Sequence, residues 1–318
     1  MLLLKLFIGL LIVLWGADLL INSSIALGKK YKISELLIGI VVVGFGTSLS
    51  ELLVSIDAVL KNAAELSLGN IIGSNIANIL LVLGFTGLIK NIKVPKVSNF
   101  DNFFHFFVII LFFLIFISTK FNLIYGLLFI IIFILYLYRI FKNLKNEDSE
   151  ISENDQGFVS QKINSHPILF GIPIIIISIF LTVFGAEITV ISAIEISKVL
   201  GISESVVGLS LIAFGTSLPE IAAGATAIRR MKPKLIFGNI IGSNLYNILL
   251  ILGFSSLFKT FNYDKKTLLY DVLILMILTI IFTLITRYKI NIDKKVSITL
   301  IIIYIFYMFF IYFKTFLM

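Results

Sequence analysis

The chain repeats itself at a fixed offset of 169 residues, and each copy carries an odd number of apolar stretches. Gly46-Thr47-Ser48-Leu49-Ser50-Glu51 aligns with Gly215-Thr216-Ser217-Leu218-Pro219-Glu220. The run GNIIGSN at 69–75 recurs unchanged at 238–244, Asn78 falls on Asn247, and Gly16-Ala17-Asp18 falls on Gly185-Ala186-Glu187. An ungapped match from 16 to 85 marks a duplication. Stretches long enough to cross about 30 Å of hydrocarbon lie at 2–28, 35–60, 67–88, 101–119, 121–141, 168–194, 205–228, 236–257, 267–286 and 297–318. With five per copy, equivalent segments enter the bilayer from opposite sides, which predicts an inverted repeat with its matched motifs meeting near the middle. The expected fold is an all-α polytopic membrane protein. Its ten transmembrane helices form two inverted five-helix repeats, 1–141 and 167–318, with discontinuous helices at the centre and a linker at 142–166 between them.

Composition excludes the soluble alternatives. Apolar residues make up 59% of the 318 positions, mean hydropathy is +1.08, and only 14% of residues are charged, whereas soluble domains are roughly 45–50% apolar. The first stretch carries Asp18, is long and lacks a small-residue cleavage pattern, so it reads as a span and not a signal peptide. Net charge is +8. Of the 26 basic residues, 18 fall in alternate connections, among them Lys29, Lys90, Arg139, Arg229 and Arg287. That asymmetry sets topology and does not signal a nucleic-acid partner; it predicts a multi-pass cell-membrane protein with both termini outside. Cys is absent, which excludes disulfides and thiolate chemistry. The acidic 142–166 segment lacks the ligand spacing of an EF-hand loop and reads as a solvated cytoplasmic linker.

Glu51 and Glu220 carry the chemistry. Each lies inside a long apolar run with no Lys or Arg nearby in its span. A lone carboxylate at that depth must be neutralised by a proton or a cation. Gly44, Gly46, Thr47, Gly215, Thr216 and Pro219 are residues that bend or interrupt a transmembrane helix and expose backbone oxygens. Thr47, Ser48, Thr216 and Ser217 add hydroxyls. On the following span Ser74 with Asn78, and Ser243 with Asn247, stand at i and i+4 on one face. Gly69 with Gly73 and Gly238 with Gly242 allow close helix contact. Hard oxygen donors with two negative charges suit Ca²⁺ or Na⁺. His105 and His166 lie outside both motif blocks, against a softer metal.

These paired motifs resemble the α-repeats of the calcium/cation antiporter superfamily, specifically its prokaryotic sodium/calcium exchangers, over essentially the whole chain. The resemblance implies Ca²⁺ export driven by Na⁺ entry, with about three Na⁺ per Ca²⁺ and no cofactor. It implies that Glu51, Glu220, Thr47 and Thr216 hold the central Ca²⁺. Flanking Na⁺ positions would use Gly44 with Ser74 and Ala213 with Ser243, through the carbonyls of Gly44 and Ala213. Asn78 and Asn247 would line the centre, with Ser48 and Ser217 behind it. The first and sixth spans would slide across the rest, and one chain would function alone in the lipid bilayer. Two departures stand out. Ser50 replaces the Pro usual in the first motif, which predicts a less bent helix there. Asn247 stands where characterised members carry Asp.

A Ca²⁺/H⁺ antiporter is the alternative, since either Glu could carry a proton. An integral membrane enzyme has little behind it: the chain has no HExxH and no Ser-His pairing on adjacent spans. A passive channel fits poorly with discontinuous helices converging on charged ligands.

Overall fold

The computed structural model describes residues 2–118, 120–143, 167–199, 213–261 and 263–317. Most of the acidic linker, with His166 and the first part of the seventh apolar stretch, lies outside them. Among the described residues the regular elements are helices, and a single bridge pairs Ile92 with Ile292. In chain order they are α1 (Leu2–Tyr31), α2 (Glu35–Thr47), α3 (Leu49–Leu60), α4 (Ala64–Ile89), α5 (Asn99–Ser118) and α6 (Leu123–Asn143). The second copy supplies α7 (Ile172–Val199), α8 (Ala213–Thr216), α9 (Leu218–Arg229), α10 (Pro233–Phe258), α11 (Lys265–Tyr288) and α12 (Lys294–Leu317).

Eight described helices are long and apolar enough to cross a membrane, and the bent pair α2–α3 makes a ninth span if counted as one. The expected stretch at 205–228 is described only from residue 213, as the short helices α8 and α9.

Burial sorts the helices into two classes. In the most apolar windows of α4 and α10, 89% and 94% of residues are buried, against 22–44% in the other spanning helices. The outer helices expose large apolar side chains such as Phe7, Trp15, Phe180 and Phe306, while Glu51, Asn78, Glu220 and Asn247 are enclosed. This arrangement suits a lipid solvent, where the polar groups must be satisfied inside.

The helices approach closely where glycine permits it. A Cβ on Gly9 would lie 2.6–3.0 Å from atoms of Thr189 and Gly185, and one on Gly16 would lie 2.6–3.1 Å from Thr182 and Ser178. As α1 advances its partner recedes, so α1 and α7, which the 169-residue offset relates, pack antiparallel. The α2–α10 crossing is also backbone to backbone. A Cβ on Gly242 would sit 2.6–2.8 Å from the carbonyl oxygen and Cα of Ile40, and one on Gly238 would strike Leu36 and Gly39. Gly69 and Gly73, their counterparts, have no such neighbour within 4 Å among the described residues. Gly242→Ala is expected to cost about 1–3 kcal/mol through overpacking, read as a lower unfolding midpoint of the solubilised protein.

Among the described residues four π-helical stretches interrupt the regular ladder, and three lie on the central helices: Gly39–Gly44, Asn78–Val82 and Tyr246–Leu252. Such bulges reorient side chains and loosen carbonyls, and they concentrate at functional sites. Here they carry Gly44, Asn78 and Asn247.

Candidate functional site

Both carboxylates sit in the first turn of a helix that starts at a break. Ser48 (φ −75°, ψ 4°) separates α2 from α3, and Ser217 (φ −88°, ψ 2°) separates α8 from α9. The two breaks share one local conformation although only the second has a following Pro, Pro219. α2 and α3 meet at 44° with Ser50 in place. A helix ending beside another's beginning presents carbonyls at one end and amides at the other. The positive N-terminal end of α3 or α9 favours a carboxylate in its first turn.

Glu51 and Glu220 are buried within electrostatic reach of each other. Ser50 Oγ donates its one proton to Glu51 Oε2 at 2.9 Å, the shortest of its three contacts, and lies 3.2 Å from the carbonyl oxygen of Thr216. Ser50 thus holds its own repeat's carboxylate beside the second break, with a hydroxyl that its Pro counterpart lacks. Ser74 flanks Glu51, while Thr47, Ser48 and Ser243 flank Glu220. Glu51 Oε1, both Glu220 oxygens and the hydroxyls of Ser48, Ser74 and Ser217 are buried without a hydrogen-bond partner among the described residues. Neither carboxylate meets a basic side chain there.

Beside them lies a cluster of oxygens. Thr47 Oγ1 and Ser243 Oγ are 3.4 Å apart; each is 3.4 Å from the Gly44 carbonyl oxygen and 3.3–3.5 Å from Asn239 Oδ1. These separations are long for hydroxyl hydrogen bonds. They match the roughly 3.4 Å edge between neighbouring oxygens at right angles on an ion about 2.4 Å away. The four atoms form two triangles sharing the Thr47–Ser243 edge, a geometry that accommodates a hard cation better than it satisfies the hydroxyls.

Gly44, which the resemblance places with Ser74 at a Na⁺ position, has its carbonyl oxygen 3.4 Å from Ser243 Oγ of the other repeat. Ala213 lies in α8, which ends at Thr216. Asn78 and Asn247 engage each other's repeats: Asn78 Nδ2 donates to Asn244 Oδ1 at 3.1 Å, and Asn247 Nδ2 donates to Asn75 Oδ1 at 3.2 Å. Each bond is the other moved by 169 residues. Oδ1 of both Asn78 and Asn247 has no hydrogen-bond partner among the described residues.

Asn239, Ser50, Asn75 and Asn244 were not singled out as site residues by sequence, although three of them belong to the repeated GNIIGSN runs. Asp18 stands apart from the carboxylate pair, bound to Arg230 at 3.2 Å, and Glu187 is exposed. Asp57 pairs with Lys61 on the surface, and Asp271 interacts with Tyr307. At the loop ends, Lys232 and Glu35 form a buried ion pair of 2.7 Å between the repeats.

Known proteins share this architecture. The sodium-calcium exchanger NCX_Mj, in crystals soaked with 100 mM Na⁺ and 10 mM Sr²⁺, superposes with a TM-score of 0.80 at 32% identity, covering 96% of this chain and 98% of that one. Membrane protein MJ0091 of Methanocaldococcus jannaschii is 32% identical over 282 residues, 89% of each protein. The sodium/calcium exchanger MaX1 of Methanosarcina acetivorans is 29% identical over 348 aligned positions, 97% of each. The sequence profile of the sodium/calcium exchanger protein family matches residues 1–142 and 170–313. Sharing that profile along nearly its whole length, together with duplicated carboxylate motifs meeting at one oxygen-lined centre, the chain belongs to the sodium/calcium exchanger family.

Proposed function

We propose that the chain is a secondary antiporter that exports Ca²⁺ in exchange for Na⁺ by alternating access. One observation carries the reading: two buried carboxylates, one from each repeat, face unbonded oxygens with no basic partner among the described residues. Two ionised carboxylates balance one Ca²⁺, and the hydroxyl, amide and carbonyl oxygens supply the remaining hard ligands. Glu51, Glu220, Thr47 and Thr216 hold Ca²⁺. Gly44, Ser74, Ala213 and Ser243 serve Na⁺, Asn78 and Asn247 line the centre, and Ser48 and Ser217 back it. Na⁺ and Ca²⁺ compete because they need the same carboxylates. Proton coupling is the alternative, but the GNIIGSN runs themselves contain no acid to serve it.

The architecture we infer is ten membrane crossings in two inverted five-helix repeats, 1–141 and 167–318, joined by a cytoplasmic linker, with both termini outside the cell membrane. The antiparallel α1–α7 contact and the reciprocal Asn78–Asn244 and Asn247–Asn75 bonds support it, because an axis in the membrane plane generates such pairs. The carboxylate pair is complete within one chain, which supports function as a monomer.

Two measurements test the reading. Ca²⁺ raises the unfolding midpoint of the purified protein and Na⁺ competes for that effect; saturation to 100 times the dissociation constant corresponds to about 2.7 kcal/mol. No stabilisation by either ion contradicts the site. Lys90 and Lys259 are exposed and related by the offset. In this Cys-free chain, Lys90→Cys and Lys259→Cys should label from opposite faces of the membrane. Labelling from one face contradicts the inversion.

A further inference from the structure

His105 lies on α5, outside the duplicated motifs, and is fully buried. Its Nε2 is 3.2 Å from Asn244 Nδ2, and Nδ1 has no hydrogen-bond partner among the described residues. The ring also meets the edge or face of Phe282 on α11 at a centroid distance of 5.7 Å. Asn244 is therefore held at both ends. Its nitrogen faces His105, and its oxygen accepts from Asn78 Nδ2 at 3.1 Å. That bond leaves Asn78 Oδ1 unbonded.

We propose that His105 is a positioning residue for the ion site: by accepting from Asn244 it fixes that amide, and through it keeps the Asn78 oxygen, not its nitrogen, available to a cation. The direction of the chain matters because an amide presents an acceptor on one side and donors on the other. If His105 offered an N–H at Nε2, Asn244 would turn its oxygen to the ring and its nitrogen to Asn78. Asn78 would then accept through its own oxygen, leaving its NH₂ to face the cation. A neutral imidazole protonated on Nδ1 prevents this reversal.

Comparison of the two copies separates positioning from simple packing. Beyond the ungapped match the copies align in α5 and α11 at an offset of 170, where Asp101 with Tyr136 corresponds to Asp271 with Tyr307, so the position related to His105 is the equally buried Leu275, which cannot accept a hydrogen bond. Asn75, the counterpart of Asn244, correspondingly has no partner for its Nδ2 among the described residues. The Asn75–Asn247 bond forms without such a ring, so the fold of an amide pair does not require one. His105 thus makes the two arms unequal, with the Asn78 arm fixed and the Asn247 arm free to reorient.

The inference rests on the proposed ion site, and its test reads Ca²⁺ and Na⁺ binding to the purified full chain by thermal stabilisation. His105→Phe removes the acceptor and is expected to weaken binding about tenfold, the scale of one hydrogen bond. His105→Gln keeps an acceptor and should bind within about twofold of the unsubstituted protein. In an Asn78→Ala background His105→Phe should cause no further loss, because its effect passes through Asn78. Asn244→Ala breaks the same chain from its middle and should reproduce the loss should the Phe variant fail to fold. Equal losses for His105→Phe in both backgrounds, unchanged affinity in the variants that fold, or a His105→Gln as impaired as His105→Phe would overturn the role. Absence of binding by the unsubstituted protein would instead overturn the site itself, and the role with it.

Discussion

Replacing Glu51 or Glu220 by Gln is expected to abolish Ca²⁺ exchange while leaving the folded protein recoverable. In the proposed site each carboxylate supplies half the charge that balances Ca²⁺, in a place where water cannot supply the rest. Leaving a buried charge without its partner costs about 3–5 kcal/mol, which lowers Ca²⁺ affinity more than a hundredfold. Without ions the balance reverses. The carboxylates then lack partners, with both Glu220 oxygens and one Glu51 oxygen unbonded among the described residues. A neutral amide of the same shape relieves that burden, so the ion-free unfolding midpoint should hold or rise. Exchange at near-normal Ca²⁺ affinity in either variant would place the site elsewhere.

Asn247→Asp has the next largest effect, and it acts in two directions. With Glu51 and Glu220 ionised, three Na⁺ leave the site with a charge of +1, which an ionised third carboxylate would cancel. The same carboxylate overcharges the Ca²⁺-loaded site. Asn75, whose Oδ1 accepts from Asn247 at 3.2 Å and whose Nδ2 has no partner among the described residues, can turn its amide to donate to an ionised group there. The cost of the third charge thus falls on the Ca²⁺-loaded state, which sheds it by taking up a proton. N247D should therefore bind Na⁺ more tightly and make Ca²⁺ exchange depend on pH near neutrality, where the unsubstituted protein is expected to show little dependence. Na⁺ and pH profiles in vesicles check this. Unchanged Na⁺ dependence in N247D would remove the role given to residue 247.

Much of this was legible in the sequence because duplication prints itself in order. The repeated GTSL(S/P)E and GNIIGSN runs located both carboxylates and the helices that carry the remaining donors. Contacts between the copies were not legible, since they depend on how α2 crosses α10. That crossing puts the Gly44 carbonyl against Ser243 and brings Asn239 to Thr47. Ser50 read as the loss of a bend-forming Pro, yet Ser48 turns the chain without it and the Ser50 hydroxyl reaches Glu51. By its place in the sequence, outside both motif blocks, His105 carries no sign of a role at the site. Its contact with Asn244 comes from the packing of α5 against α10, which no local pattern encodes.

The central claim is Na⁺-driven movement of Ca²⁺ through the Glu51–Glu220 pair. It is tested most directly by Ca²⁺ uptake into proteoliposomes under an imposed Na⁺ gradient, run beside a matched pH gradient without Na⁺. The account predicts uptake into Na⁺-loaded vesicles, none under the pH gradient alone, and none for Glu51→Gln or Glu220→Gln in either condition. Uptake driven by the pH gradient in the absence of Na⁺ would contradict it.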